Sequence, residues 1–130
     1  MTSGEKERRS PTVLICEDDA ALREFLQVAL DGDFAFAETA DGLAAVELAR
    51  TIRPDLVLID VMLPGKSGLE ILRELRADPE LQHTPVVMMT AFSGLQRLEA
   101  EEAGADHFLS KPFDPLELIH AVEGLLARGR

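Results

Sequence analysis

Three unbroken apolar tetrads, Val13–Cys16, Leu56–Ile59 and Val86–Met89, contain no polar residue at alternate positions. A strand with one face in water alternates apolar and polar residues, so such runs describe strands covered on both faces. Two more strand-like segments, Phe34–Glu38 and His107–Ser110, complete a set of five. Phe34–Glu38 is weaker and polar at its end, which suits a sheet edge. Between the strands lie helical patterns, such as Leu22, Phe25, Leu26 and Ala29 at i, i+3, i+4 and i+7. Five strand-helix alternations predict an α/β fold, a doubly wound (βα)5 unit with a five-stranded parallel sheet.

Local signals punctuate the helices. Asp19 can cap the first. The second runs from about Gly42 to Ile52 and stops before Pro54. Ser67 with Glu70, and Ser93 with Gln96, have the capping-box spacing for the third and fourth, and Gly104 ends the fourth. Asp114, Pro115 and Glu117 open the fifth. Residues 1–10 mix charges with small polar residues and are expected to be a disordered tail, leaving one domain over 11–128 with no output domain in this chain.

In open parallel sheets, ligands bind beyond the carboxyl ends of the strands. Here those ends are Glu17-Asp18-Asp19, Asp60, Thr90 and Lys111. Gathering Glu17, Asp18 and Asp60 should push at least one carboxyl pKa upward unless a cation is present. Oxygen-only donors suit Mg2+, with Asp18 and Asp60 as direct ligands, Glu17 through water and the Met62 carbonyl as a further contact. Asp60 is then the candidate nucleophile toward phosphorus, Thr90 a hydroxyl donor to one phosphoryl oxygen and Lys111 a partner for another.

Cys16-Glu17-Asp18-Asp19, Leu56 through Gly65 (LVLIDVMLPG), Met89-Thr90-Ala91 and Gly104 through Phe113 (GADHFLSKPF) resemble the receiver domains of bacterial two-component response regulators. The resemblance spans Pro11 to about Arg128. It implies a flavodoxin-like fold with strand order 2-1-3-4-5, phosphoryl acceptance at Asp60, Mg2+ dependence and a cis Lys111–Pro112 bond. It also implies a sensor histidine kinase or histidine phosphotransfer protein as donor, a downstream protein target, and a monomer or phosphorylation-dependent dimer. Thr90 and Phe108 match the family's switch pair. Met62 and Phe92 stand at the positions that flank the hydrolytic water's route. Neither can activate water, so the acyl phosphate is expected to last hours rather than seconds.

Other chemistries fit less well. A haloacid-dehalogenase-type phosphatase needs a second acid where Met62 stands. A flavin module needs a hydroxyl- and glycine-rich loop where the acids stand. Asp60 should therefore serve as an acceptor and not a multiple-turnover enzyme. The net charge of −11 argues against direct nucleic acid binding by these residues. No stretch is apolar enough for membrane insertion, no signal peptide is present, and the lone Cys16 forms no internal disulfide, so a cytoplasmic location is expected. His83, His107 and His120 lack metal-ligand spacing and should be solvated.

Overall fold

The computed structural model describes residues 10–32, 34–91 and 94–128. Five strands, β1 (Thr12–Cys16), β2 (Ala35–Thr39), β3 (Leu56–Asp60), β4 (Val86–Thr90) and β5 (His107–Ser110), form one parallel sheet in the order β2-β1-β3-β4-β5. Five helices follow the strands in turn: α1 (Ala20–Ala29), α2 (Gly42–Ile52), α3 (Gly68–Ala77), α4 (Leu95–Ala103) and α5 (Pro115–Arg128). β2 is an edge strand, as its polarity suggests, and begins at Ala35 instead of Phe34. The expected tail, residues 1–9, lies outside the described residues.

The two-sided burial of the central strands divides one apolar run between two cores. Leu14, Cys16, Val57, Ile59, Val86, Met88 and Phe108 pack toward α2, α3 and α4. Val13, Ile15, Leu56, Leu58, Val87, Met89 and Leu109 pack toward α1 and α5. Strand alternation explains the division, because successive side chains leave opposite faces. Burial also pushes the Cys16 thiol up to about 12, so it is a small apolar filler and not a reactive group.

Most helix starts obey the punctuation. Asp19 Oδ1 accepts from the N–H groups of Ala21 (2.9 Å) and Leu22 (3.2 Å). Ser67 and Glu70 form a reciprocal capping box, and Asp114 Oδ1 accepts from Leu116 N–H at 2.8 Å. The fourth helix differs. Its N-cap is Gly94, at φ 75° and with no side-chain cap, while Ser93 lies outside the described residues. Phe25 also departs from its expected core role. It is 38% exposed and sits beside Phe113, with ring centroids 6.3 Å apart.

Arg76, at the end of α3, staples together the two connections that lead into β4 and β5. Its guanidinium donates to the carbonyls of Gly104 (3.0 Å), Thr84 (2.8 Å) and Gln82 (3.2 Å), and to Asp106 Oδ2 (2.9 Å). Asp106 Oδ2 in turn accepts from Val86 N–H at 2.8 Å. Arg76→Ala strips several partly buried acceptors of their donor at once. We expect a stability loss of about 2–3 kcal/mol with the denaturant slope unchanged, measured by urea unfolding. A loss under about 0.5 kcal/mol would show that water replaces the guanidinium without cost.

Candidate functional site

The acidic corner stands at the carboxyl edge of β1 and β3, where strand order reverses direction. Register and parity explain why its groups meet. Cys16 pairs with Ile59, so the residues after each, Glu17 and Asp60, leave neighbouring strands at the same height. Glu17, Asp60 and Lys111 share the odd-even phase of Ile15, Leu58 and Leu109, and therefore one face.

Lys111 closes the group. Its ammonium lies 2.5 Å from Asp60 Oδ2 and 2.9 Å from Glu17 Oε1. The other Asp60 oxygen accepts from Met62 N–H at 2.8 Å, and Glu17 Oε2 accepts from Asp19 N–H at 3.1 Å. Glu17 and Asp60 are buried while Asp18 is exposed. The Lys111–Pro112 bond is cis, and Lys111 N–H donates to the Thr90 carbonyl at 2.7 Å.

Thr90 is buried at the end of β4, one residue past Met89, the register partner of Asp60. Alternation puts it on the face of Met88 and Phe108, so the two switch residues share a side of the sheet. Phe108 is 6% exposed, with the Arg97 guanidinium carbon 5.9 Å from its ring centroid. Met62 is 55% exposed, so its side chain does not roof the acids. Phe92 lies outside the described residues. His83, His107 and His120 are exposed, as expected.

Close approach of α3 also shapes the corner. Gly68 N–H donates to the Val61 carbonyl at 2.9 Å, and a Cβ at Gly68 would lie 2.4 Å from the Asp60 carbonyl oxygen. Only glycine permits that contact without moving the turn that carries Asp60.

The donor set fits a hard divalent cation. Glu17, Asp18 and Asp60 each offer a carboxylate oxygen, all within 4.8 Å of one another, and Lys111 neutralises only part of their charge. Glu17 holds its proton tightly, its pKa raised from the ordinary 4.5 to about 7. Burial is the chief cause, and the hydrogen bond that the protonated Glu17 donates to Asp60 adds to it, against lowering by Lys111 and the Asp19 N–H. For Lys111, burial acts to lower the pKa, but bonding to Asp60 and Glu17 outweighs it and the net shift is upward.

A raised carboxyl pKa means the folded state holds the proton more tightly than the unfolded chain. The stability it contributes is complete below about 4.5 and lost as pH rises through about 7. In EDTA, wild type should therefore lose on the order of 2–3 kcal/mol across that window relative to Glu17→Gln. Added Mg2+ should restore it at the alkaline end. Parallel urea titrations of the two proteins check this, and curves with no pH-dependent difference would refute it.

Arg23 and Gly68 were not apparent from sequence. No sequence motif marks Arg23, yet its Nη1 donates to the Glu17 carbonyl at 2.7 Å. The only early hint was its position six residues after Glu17, one helical turn into α1.

The chain is similar to known proteins in sequence and in fold. The chain is 42% identical to the DNA-binding response regulator MtrA of Mycolicibacterium paratuberculosis over 118 residues, covering 89% of this chain and 51% of that protein. It is 34% identical to the DNA-binding dual master transcriptional regulator RpaA of Synechocystis over 120 residues, covering 91% and 50% respectively. The crystal structure of a putative response regulator from Chloroflexus aurantiacus superposes with a TM-score of 0.87 at 34% identity, covering 92% of this chain and 100% of that one. The chain thus spans about half the length of these curated relatives.

These relatives overturn the expectation that nucleic acid is excluded as a partner. The −11 charge belongs to 130 residues, whereas proteins described as DNA-binding regulators extend to about twice the matched length. Charge on one segment does not speak for a longer protein. Among the described residues, no helix is long and apolar enough to cross a membrane. The family model described as the response regulator receiver domain matches residues 13–123, and on that match this chain belongs to the response regulator receiver family.

Proposed function

We propose that Asp60 accepts a phosphoryl group from a phosphohistidine donor, a sensor histidine kinase or a histidine phosphotransfer protein, and that the resulting charge switches partner binding. The carrying observation is the Lys111 ammonium, bonded at once to Asp60 and Glu17 at an edge where three acids gather.

In this reading the Asp60 carboxylate attacks phosphorus, the donor's P–N bond breaks, and the electron pair leaves on the imidazole nitrogen. Lys111 shifts from carboxylate to phosphoryl oxygen, staying cationic throughout. The Thr90 hydroxyl, at the same carboxyl edge but in the strand phase of the opposite face, turns over the end of β4 to donate to a second phosphoryl oxygen, while Phe108 on Thr90's face follows into the space released. Asp18, Asp60, the Met62 carbonyl and, through water, Glu17 would hold Mg2+, which would supply positive charge to offset that of the phosphoryl oxygens. Each Asp60 is consumed once per phosphoryl received, so the chain is a stoichiometric acceptor and not a multiple-turnover enzyme. Met62 and Phe92 offer no acceptor to orient a water, which favours a slow return to the carboxylate. The DNA-binding descriptions of MtrA and RpaA support a transcriptional output, and the donor class supports a cytoplasmic setting.

Acetyl phosphate or phosphoramidate with Mg2+ tests the reading. A mass gain of one phosphoryl group, mapped to the Asp60 peptide and suppressed by EDTA, is expected. Labelling on another residue, or none, would remove the assignment.

A further inference from the structure

We infer that Arg23 is a positioning residue for the metal-binding corner, acting through the peptide that joins Glu17 to Asp18; this rests on the phosphoryl-acceptor reading above. Arg23 lies on α1 and is 19% exposed. It forks between two targets. Nη1 donates to the Glu17 carbonyl at 2.7 Å, and Nε donates to Glu38 Oε1 on β2 at 2.7 Å.

Glu38 is itself tied down from α1. Its Oε2 accepts from Gln27 Nε2 at 2.7 Å. Hydrogen bonds from Gln27 and then Arg23 hold its carboxyl below the ordinary value, so it stays a charged anchor. The guanidinium is thus clamped by an edge strand and presents Nη1 to one carbonyl.

That carbonyl is well placed to set ligand geometry. A peptide unit is planar, so fixing the Glu17 C=O fixes the plane that carries the Asp18 N and Cα, the base from which its side chain leaves. The Glu17 N–H is fixed independently, donating to the Thr39 carbonyl at 3.0 Å. β2 therefore holds one side of Glu17 directly and the other through Glu38 and Arg23. Asp18, exposed and next in the chain, inherits its orientation from that frame. A planar fork suits this task, whereas a lysine ammonium is a point charge that cannot reach both acceptors with fixed geometry.

Calorimetric titration of Mg2+ into wild type, Arg23→Leu, Arg23→Lys and Glu38→Gln tests the inference, with phosphorylation rates measured against Mg2+ concentration. Supporting groups behind metal ligands typically tune affinity strongly, so Arg23→Leu should raise the Mg2+ Kd about tenfold. Its maximal phosphorylation rate at saturating Mg2+ should stay within about twofold of wild type, because Asp60, Thr90 and Lys111 are untouched. Arg23→Lys and Glu38→Gln should fall between wild type and Arg23→Leu. A folded Arg23→Leu with wild-type Kd overturns the inference. So does a fall in its maximal rate at saturating Mg2+, which marks general damage. Should Arg23→Leu not fold, wild-type Kd values in both milder variants overturn it equally. Failure of the wild type to bind Mg2+ or to accept phosphoryl would instead sink the underlying reading.

Discussion

Asp60→Asn is expected to abolish phosphoryl uptake and, in the same protein, to make the metal-free fold more stable at alkaline pH. The first effect follows from chemistry. An amide oxygen is a poor nucleophile, and losing a covalent nucleophile removes more than about 10³-fold of rate. The second follows from crowding. Asp60 raises the Glu17 pKa both by hydrogen bonding and by its charge. Without that charge, Lys111 serves Glu17 alone and the Glu17 pKa should fall back toward 4.5.

The gain is limited by hydrogen bonding. Both Asp60 oxygens now accept, one from Met62 N–H and one from Lys111. An amide has one oxygen, so its NH2 must face one of those donors. We expect a net gain of about 1 kcal/mol in EDTA at pH 8, shrinking toward pH 5 where the wild-type Glu17 is protonated and its charge no longer faces Asp60. Urea unfolding at the two pH values, with intact-mass analysis after acetyl phosphate, measures both effects. Retained labelling would identify a different acceptor, and a loss of stability at pH 8 would show that the lost acceptor outweighs the relieved charge.

The sequence made the sheet legible because burial on both faces writes an uninterrupted apolar run, and β1, β3 and β4 are such runs. The site was legible for a related reason. Strand ends in parallel register put Glu17, Asp60 and Lys111 together whatever the intervening helices contain. What escaped were contacts set by helix rotation and loop length. Ser93 and Gln96 have capping spacing, yet the helix begins from Gly94 with no side-chain cap, because two residues at the right interval also occur by chance. Arg23 and Arg76 each hold backbone carbonyls from other segments, and a long flexible side chain carries no sequence signal of where its guanidinium ends. Phe25 satisfied a helical stripe but falls at its solvent margin, where periodicity alone does not separate core from rim.

Lys111→Met should separate two roles that the wild-type ammonium combines. As a cation aimed at the acceptor, it neutralises charge that builds on the phosphoryl group, and deleting such a donor costs about 10²–10³-fold in rate. As a resident of the acidic corner, it also repels any metal approaching Glu17, Asp18 and Asp60. Its removal should therefore tighten Mg2+ binding, by about tenfold at the effective dielectric of a partly solvated site. Metal-free stability should move the other way. Lys111 lowers the Glu17 pKa, so without it the carboxyl rises further and two buried acids face each other uncompensated. Breaking such a pair costs about 3 kcal/mol at pH 8 in EDTA, less at pH 5, and little with saturating Mg2+. Tighter metal binding joined to slower phosphorylation is a combination that simple disruption of the corner cannot produce. If calorimetry instead finds weaker Mg2+ binding in a folded Lys111→Met, then the ammonium's main service is to hold the carboxylates in register, and the rate loss reads as misplaced ligands instead of a missing charge.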